Sequence, residues 1–128
     1  MALIPPKGRT GLARLVAAMG YSRDGLLAAF RGEPSIRQLV VLHIVLILMA
    51  FFFFFRVSIV SKGELALMIA VCLLSFIVEL LNSAIEAVVD RISPEHHPLC
   101  KNAKDMGSAA QLIALILIAT VWGVILLG

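Results

Sequence analysis

The chain has 128 residues, which is enough for one domain. It is 61% hydrophobic and only 15% charged, its formal net charge is +3, and its mean hydropathy is +1.03. A soluble domain holds about 45–50% apolar and about 25% charged residues, so this composition excludes an ordinary soluble domain and indicates an integral membrane protein.

The segment that precedes the first apolar run, residues 10–31, is predicted to be an amphipathic surface helix. Its apolar side chains recur at helical spacing: Leu12, Leu15, Val16 and Met19. Such a helix either rests on the cytoplasmic leaflet or packs against the membrane helices, and the sequence leaves both open. We expect Gly20 to interrupt the helix and Ser22 to cap a second short turn. The opening ten residues lack the apolar core of a cleavable signal peptide, so we expect none.

Three apolar runs predict transmembrane helices over residues 34–55, 65–90 and 106–127, each near the ~20 residues that a spanning helix needs. Six cations lie between Lys7 and Arg37, and three more lie in or beside the loop 91–105. Because positive charge marks the cytoplasmic side, we expect this loop and the N-terminus in the cytoplasm and the C-terminus outside. The predicted fold is therefore a single all-α membrane domain over residues 1–128.

The second span carries four polar residues: Glu79, Asn82, Glu86 and Asp90. Their spacings of 3, 4 and 4 residues place them within an arc of about 80° on a helix. Counted from Leu65, Glu79 lies about 21 Å along the helix, inside the cytoplasmic third of the bilayer. A carboxylate at that depth costs a few kcal/mol unless it is paired or hydrated, so Glu79 predicts a functional site. Asn82 could belong to this site or could instead join one membrane helix to another, as polar side chains often do.

The third span begins with a polar turn, for which two interpretations stay open. Lys104, Ser108 and Gln111 share one helix face, and Asp105 lies where it could cap the helix. A lysine, an aspartate and free amide N–H groups at a helix start suit a polyphosphate–metal complex. The alternative is a capped helix with a lysine that reaches toward the headgroups.

Together these groups predict phosphoryl transfer to a lipid. Glu79 could take a proton from a lipid hydroxyl, Glu33 and Glu86 could hold Mg²⁺ with a nucleotide, and Lys104 could neutralise phosphate charge. Pro34 suits the first turn of the first span, which puts Glu33 at a helix N-terminus that favours an anion. The chain contains neither a P-loop nor a protein-kinase motif. A small proton-coupled transporter and a non-catalytic membrane subunit are the competing classes.

Three stretches carry a resemblance to a known family: "GYSRDGLLAAFRGEPSIRQ", "ELLNSAIEAVVDRI" and "KNAKDMGSAAQLIA". They resemble the prokaryotic diacylglycerol kinases, and the Gram-negative branch more than the related undecaprenol kinases. The resemblance implies a homotrimeric helical bundle in the bacterial inner membrane, with three membrane helices and one surface helix per chain. It also implies transfer of the ATP γ-phosphate to diacylglycerol, with Mg²⁺, at sites shared between subunits. No nucleic-acid partner is expected.

The resemblance also implies roles for individual residues. Glu79 takes the place of the catalytic base, and Glu33 and Glu86 take the places of metal-binding glutamates. The nucleotide side would comprise these two glutamates with Arg14, Tyr21, Glu95, His96, His97, Lys104 and Asp105. The lipid side would comprise Arg14, Glu79, Ser108 and Trp122, and two further polar positions are Asn82 and Asp90. Trp122 could instead be an interfacial anchor at the outer membrane surface. Undecaprenol remains the rival acceptor.

Overall fold

The computed structural model describes residues 10–92 and 97–128, and these residues form helices without any strand. The four α-helices are α1 (Gly11–Gly32), α2 (Pro34–Phe52), α3 (Lys62–Ile92) and α4 (Pro98–Leu127). The chain forms two compact units, one ending at Pro34 and the other beginning at Ser35. The predicted all-α class is confirmed.

Helix α1 is continuous over 22 residues, so the expected interruption at Gly20 is wrong. The hydroxyl of Ser22 donates to the carbonyl oxygen of Ala18 one turn earlier, at 3.0 Å, and does not cap a second helix. A glycine within a helix costs only about 1 kcal/mol, which the flanking helix-forming residues offset. That α1 lies on the membrane surface stays a prediction.

The other helices are long and apolar enough to cross a membrane, which confirms the three predicted spans. α2 continues into one π-helical turn, Phe53–Val57, which ends at Ser58 in the left-handed conformation (φ 59°). α3 then begins at a reciprocal capping box. The Glu64 amide donates to Ser61 Oγ at 3.2 Å, and the Ser61 amide donates to Glu64 Oε2 at 2.9 Å. These two bonds satisfy amides that have no partner within the helix.

Helix α4 begins at Pro98, eight residues before the predicted start at position 106. His97 is the N-cap, and its Nδ1 accepts a hydrogen bond from the Leu99 amide at 3.1 Å. Pro98 occupies the first turn, where its missing N–H is harmless. Much of the predicted loop 91–105 is therefore helix. The expectation that Asp105 caps this helix is wrong, because Asp105 lies two turns inside it.

The apolar core lies where the first part of α3 and the last part of α4 pack with the end of α2. Met68, Cys72, Ile118 and Trp122 form its centre. The indole Nε1 of Trp122 donates to the carbonyl oxygen of Met68 at 3.3 Å. Most large apolar side chains elsewhere on these helices are exposed, for example Leu73, Ile77 and Leu81. An exterior covered by apolar side chains is suited to a lipid surrounding.

Candidate active site

The polar stripe of α3 turns toward the interior of the unit. Glu79 and Asn82 are buried, Glu86 is half-buried and Asp90 is exposed. The apolar residues on the opposite side of the same helix, such as Leu81 and Val88, are exposed. The stripe therefore begins inside the helix packing and ends at the helix terminus, as the periodicity of the sequence predicts.

Glu79 lies where α2 meets α3, and only 9% of it is exposed. The Ser35 hydroxyl in the first turn of α2 donates to Glu79 Oε1 at 3.4 Å. A carboxylate oxygen of Glu79 is therefore in reach of a hydroxyl donor from the neighbouring helix. Ser35 was not among the predicted site residues. It directly follows Pro34, at the predicted start of the first span.

A second polar pair lies one helical turn deeper than Glu79. The Gln111 side-chain amide of α4 donates to Ser75 Oγ at 3.2 Å, and both side chains are buried. Gln111 and Lys104 both contact α3, as expected for residues on one face of α4, whereas Ser108 of the same predicted face is exposed. His43 of α2 is also buried, with Nδ1 2.6 Å from the Leu39 carbonyl oxygen. Polar groups therefore continue below the carboxylate into the membrane interior.

Ion pairs link the charged groups at the exposed end of the stripe. Lys104 of α4 pairs with Asp90 of α3, and both side chains are partly exposed. Lys101 pairs with Asp105 along one face of α4 at 2.5 Å. Exposed ion pairs are typically worth less than about 1 kcal/mol, so a nucleotide phosphate can replace either carboxylate as the partner of a lysine. The structure thus brings Lys104 to the polar stripe, whereas the first turn of α4 lies earlier and its Leu99 amide is already bonded to His97 Nδ1.

Several predicted site residues belong to other parts of the chain than the polar stripe of α3. Trp122 is buried beside Met68, which is 11 residues before Glu79 and so about 16 Å along α3 from it. Arg14 and Tyr21 lie seven residues apart in α1, on one face of that helix. Glu33 follows α1, and its backbone amide donates to the Ala29 carbonyl oxygen at 3.0 Å. Both Glu95 and His96 fall outside the described residues.

No group of three or more His, Cys, Asp or Glu side chains in residues 10–92 and 97–128 is arranged to hold a metal ion. Mg²⁺ is usually bound by one or two carboxylates together with substrate phosphates and water. Glu86, half-buried between Asn82 and the exposed Asp90, is an oxygen donor of the kind that such a metal needs. The residues present therefore fit a magnesium ion that arrives with a nucleotide.

These features define an integral membrane protein whose helices carry a carboxylate face from the membrane interior to a lysine-bearing surface. Comparison with known proteins is consistent with that class. The family model described as prokaryotic diacylglycerol kinase matches residues 20–126. The diacylglycerol kinase of Pseudomonas aeruginosa is 64% identical over 124 residues, which is 97% of both chains.

More distant relatives agree. The diacylglycerol kinase of Helicobacter pylori strain 26695 is 46% identical, covering 98% of this chain and 93% of its own. That of Escherichia coli K12 is 44% identical, covering 91% and 92% respectively. The chain belongs to the prokaryotic diacylglycerol kinase family. Its three apolar helices and this family make it a protein of the bacterial inner membrane.

Proposed function

We propose that this chain transfers the γ-phosphate of ATP to the hydroxyl of diacylglycerol, forming phosphatidic acid at the inner membrane. The observation that carries the proposal is the continuous polar stripe from the buried Glu79 to the exposed Asp90–Lys104 pair. A lipid hydroxyl approaches from the membrane and a nucleotide from water, so an enzyme that joins them needs such a path. Membership of the family supports the same reaction.

In the proposed reaction the lipid hydroxyl oxygen attacks the γ-phosphorus of ATP. A new oxygen–phosphorus bond forms, the bond to the bridging oxygen of ADP breaks, and the hydroxyl proton passes to the Glu79 carboxylate. Glu79 is suited to this role because it is a carboxylate buried among the membrane helices, at the depth that a lipid hydroxyl can reach. The remaining work is positioning and charge stabilisation, as in phosphoryl transfer generally.

The nucleotide is proposed to bind at the exposed end of the stripe. Lys104 would exchange Asp90 for a phosphate oxygen and neutralise its charge. Glu33 and Glu86 would hold Mg²⁺, which when bound supplies further neutralisation of the phosphates. The other nucleotide-side residues are proposed from the family resemblance: Arg14, Tyr21, Glu95, His96, His97 and Asp105. Ser108 and Trp122 are proposed on the lipid side in the same way.

Purified protein in lipid micelles with MgATP should phosphorylate diacylglycerol in preference to undecaprenol. The reason is the family membership, since the family model that matches the chain is described as diacylglycerol kinase. Transfer of radiolabelled phosphate to each acceptor, compared at equal mole fraction, is the measurement. A preference for undecaprenol, or ATP consumption that needs no lipid, would contradict the proposal.

We further propose that the active protein is a homotrimer in which Glu33 of one chain completes the Glu79–Glu86 stripe of its neighbour. The cationic N-terminal segment supports a cytoplasmic N-terminus, with Glu33 at the same membrane surface as Glu86. One short chain offers little enclosure for a nucleotide and a lipid together. The many exposed apolar side chains of α2 to α4 leave wide surfaces for contact with neighbouring chains.

Mixing two inactive variants, Glu33→Ala and Glu79→Gln, should restore activity if sites are shared. Random exchange within a ring of three leaves about a quarter of the sites intact. The matched control mixes Glu79→Gln with Glu86→Ala. Both residues lie on the same helix of the same chain, so no intact site can form. The shared site is rejected if the first mixture stays inactive although crosslinking shows that subunits have exchanged.

A further inference from the structure

Gly107 of α4 packs directly on the side chain of Asn82 in α3. A Cβ atom added at position 107 would lie 2.1 Å from Asn82 Oδ1 and 3.1 Å from its Cγ. The shorter distance is far inside van der Waals contact, so a side chain at 107 and the present position of the Asn82 amide exclude each other.

Among the glycines inside the described helices, this constraint is specific to Gly107. Gly123 lies on the same helix, and a Cβ there would meet nothing within 4 Å. Four other helical glycines, Gly20, Gly25, Gly32 and Gly63, are equally unobstructed. The absence of a side chain at 107 is therefore tied to Asn82 rather than to a general need for small residues.

Asn82 occupies the middle of the polar stripe, three residues after Glu79 and four before Glu86. Only 8% of the residue is exposed, and its Oδ1 is buried without a hydrogen-bond partner among the described residues. An amide oxygen in this state is unfavourable unless the position serves another purpose. With the oxygen enclosed against α4, the two N–H donors are the part of the amide left for a ligand.

We infer that Gly107 is a positioning residue, which seats the Asn82 oxygen against α4 so that the amide N–H groups face the transferred phosphoryl group. Asn82 lies about 4–5 Å nearer the surface than Glu79 along the helix axis. That is the level a phosphoryl group passes on its way to a hydroxyl held beside Glu79. Donors fixed in advance stabilise the charge that develops there. This inference rests on the proposed diacylglycerol kinase activity.

Gly107→Ala should lower kcat for diacylglycerol phosphorylation by between about tenfold and 100-fold, because the added methyl displaces the amide. The KM for MgATP should stay unchanged, since the nucleotide binds nearer the surface. Gly123→Ala is the matched control, with the same substitution on the same helix, and should keep the wild-type kcat. Radiolabelled transfer per folded protein measures each variant.

A double-mutant cycle separates positioning from packing. With Asn82→Ala as the background, the added methyl would have no neighbour nearer than the residue 82 Cβ at 3.7 Å, which is an ordinary contact. Gly107→Ala should then leave the remaining kcat unchanged. An unaltered kcat in Gly107→Ala alone, or an equal loss in both backgrounds, overturns the inference.

A further variant keeps the test decisive if Gly107→Ala does not fold. Asn82→Gln retains the side-chain amide but adds one methylene group, so the amide cannot keep the same position against Gly107. Its kcat should fall by at least about tenfold, and full activity would overturn the inference. Wild-type protein that phosphorylates no diacylglycerol would instead reject the proposed function, so the two failures are distinguishable.

Discussion

Glu79→Gln is expected to lower kcat for diacylglycerol phosphorylation by about 10²–10⁴-fold, the usual effect of removing a general base. Glutamine keeps the size of the side chain and can still accept a hydrogen bond from Ser35, whose oxygen lies 3.4 Å from the carboxylate. It cannot take up the hydroxyl proton. Folding and subunit assembly should therefore be preserved, and initial rates at saturating MgATP and lipid measure the loss.

The matched control for this substitution is Glu64→Gln. Glu64 lies in the first turn of the same helix, and its side chain accepts a hydrogen bond from the Ser61 amide. Glutamine serves as well as glutamate in a capping box, so this variant should turn over at the wild-type rate. Near-normal turnover in Glu79→Gln would remove Glu79 from the role of base.

Glu86→Ala is expected to abolish phosphoryl transfer, with a loss of more than about 10³-fold, and to remove the Mg²⁺ dependence of nucleotide binding. Glu86 is half-buried between Asn82 and the exposed Asp90 on the stripe. A hard cation needs oxygen donors, and alanine supplies none. Isothermal titration of ATP with and without Mg²⁺ measures the binding part independently of turnover.

Glu64→Ala provides the comparison for this variant. It deletes a carboxylate from the other end of α3, where it should reduce stability by about 1 kcal/mol through loss of the cap but leave Mg²⁺-dependent binding intact. If chelation of divalent ions leaves the activity of the wild-type protein unchanged, the proposed metal site is wrong. If Glu86→Ala binds MgATP normally, the metal lies elsewhere.

The polar stripe could be predicted from the sequence because it depends only on the spacing of residues along one helix. Residues three and four apart share a helix face whatever the rest of the fold does, so Glu79, Asn82 and Glu86 could be aligned from spacing alone. The depth of Glu79 followed from helix rise and membrane thickness in the same way. Burial of Glu79 and exposure of Asp90 agree with that estimate.

The partners of these residues could not be predicted, since they depend on how one helix is shifted along another. Ser35 beside Glu79, Gln111 beside Ser75 and Lys104 beside Asp90 all follow from the register of packed helices. The early start of α4 was missed for a different reason. Its first turns are polar and show no apolar periodicity, so the capping residue His97 and the following Pro98 were read as loop.

The position of Trp122 makes its intrinsic fluorescence a reporter of the packing between α3 and α4. It is the only tryptophan in the chain, it is 7% exposed, and its indole nitrogen is bonded to the Met68 carbonyl oxygen across the contact between α3 and α4. Its fluorescence therefore depends on whether those two helices stay together. Because Trp122 lies about 16 Å along the helix axis from Glu79, unlabelled protein can be followed by emission spectroscopy while the chemistry at the carboxylates proceeds undisturbed.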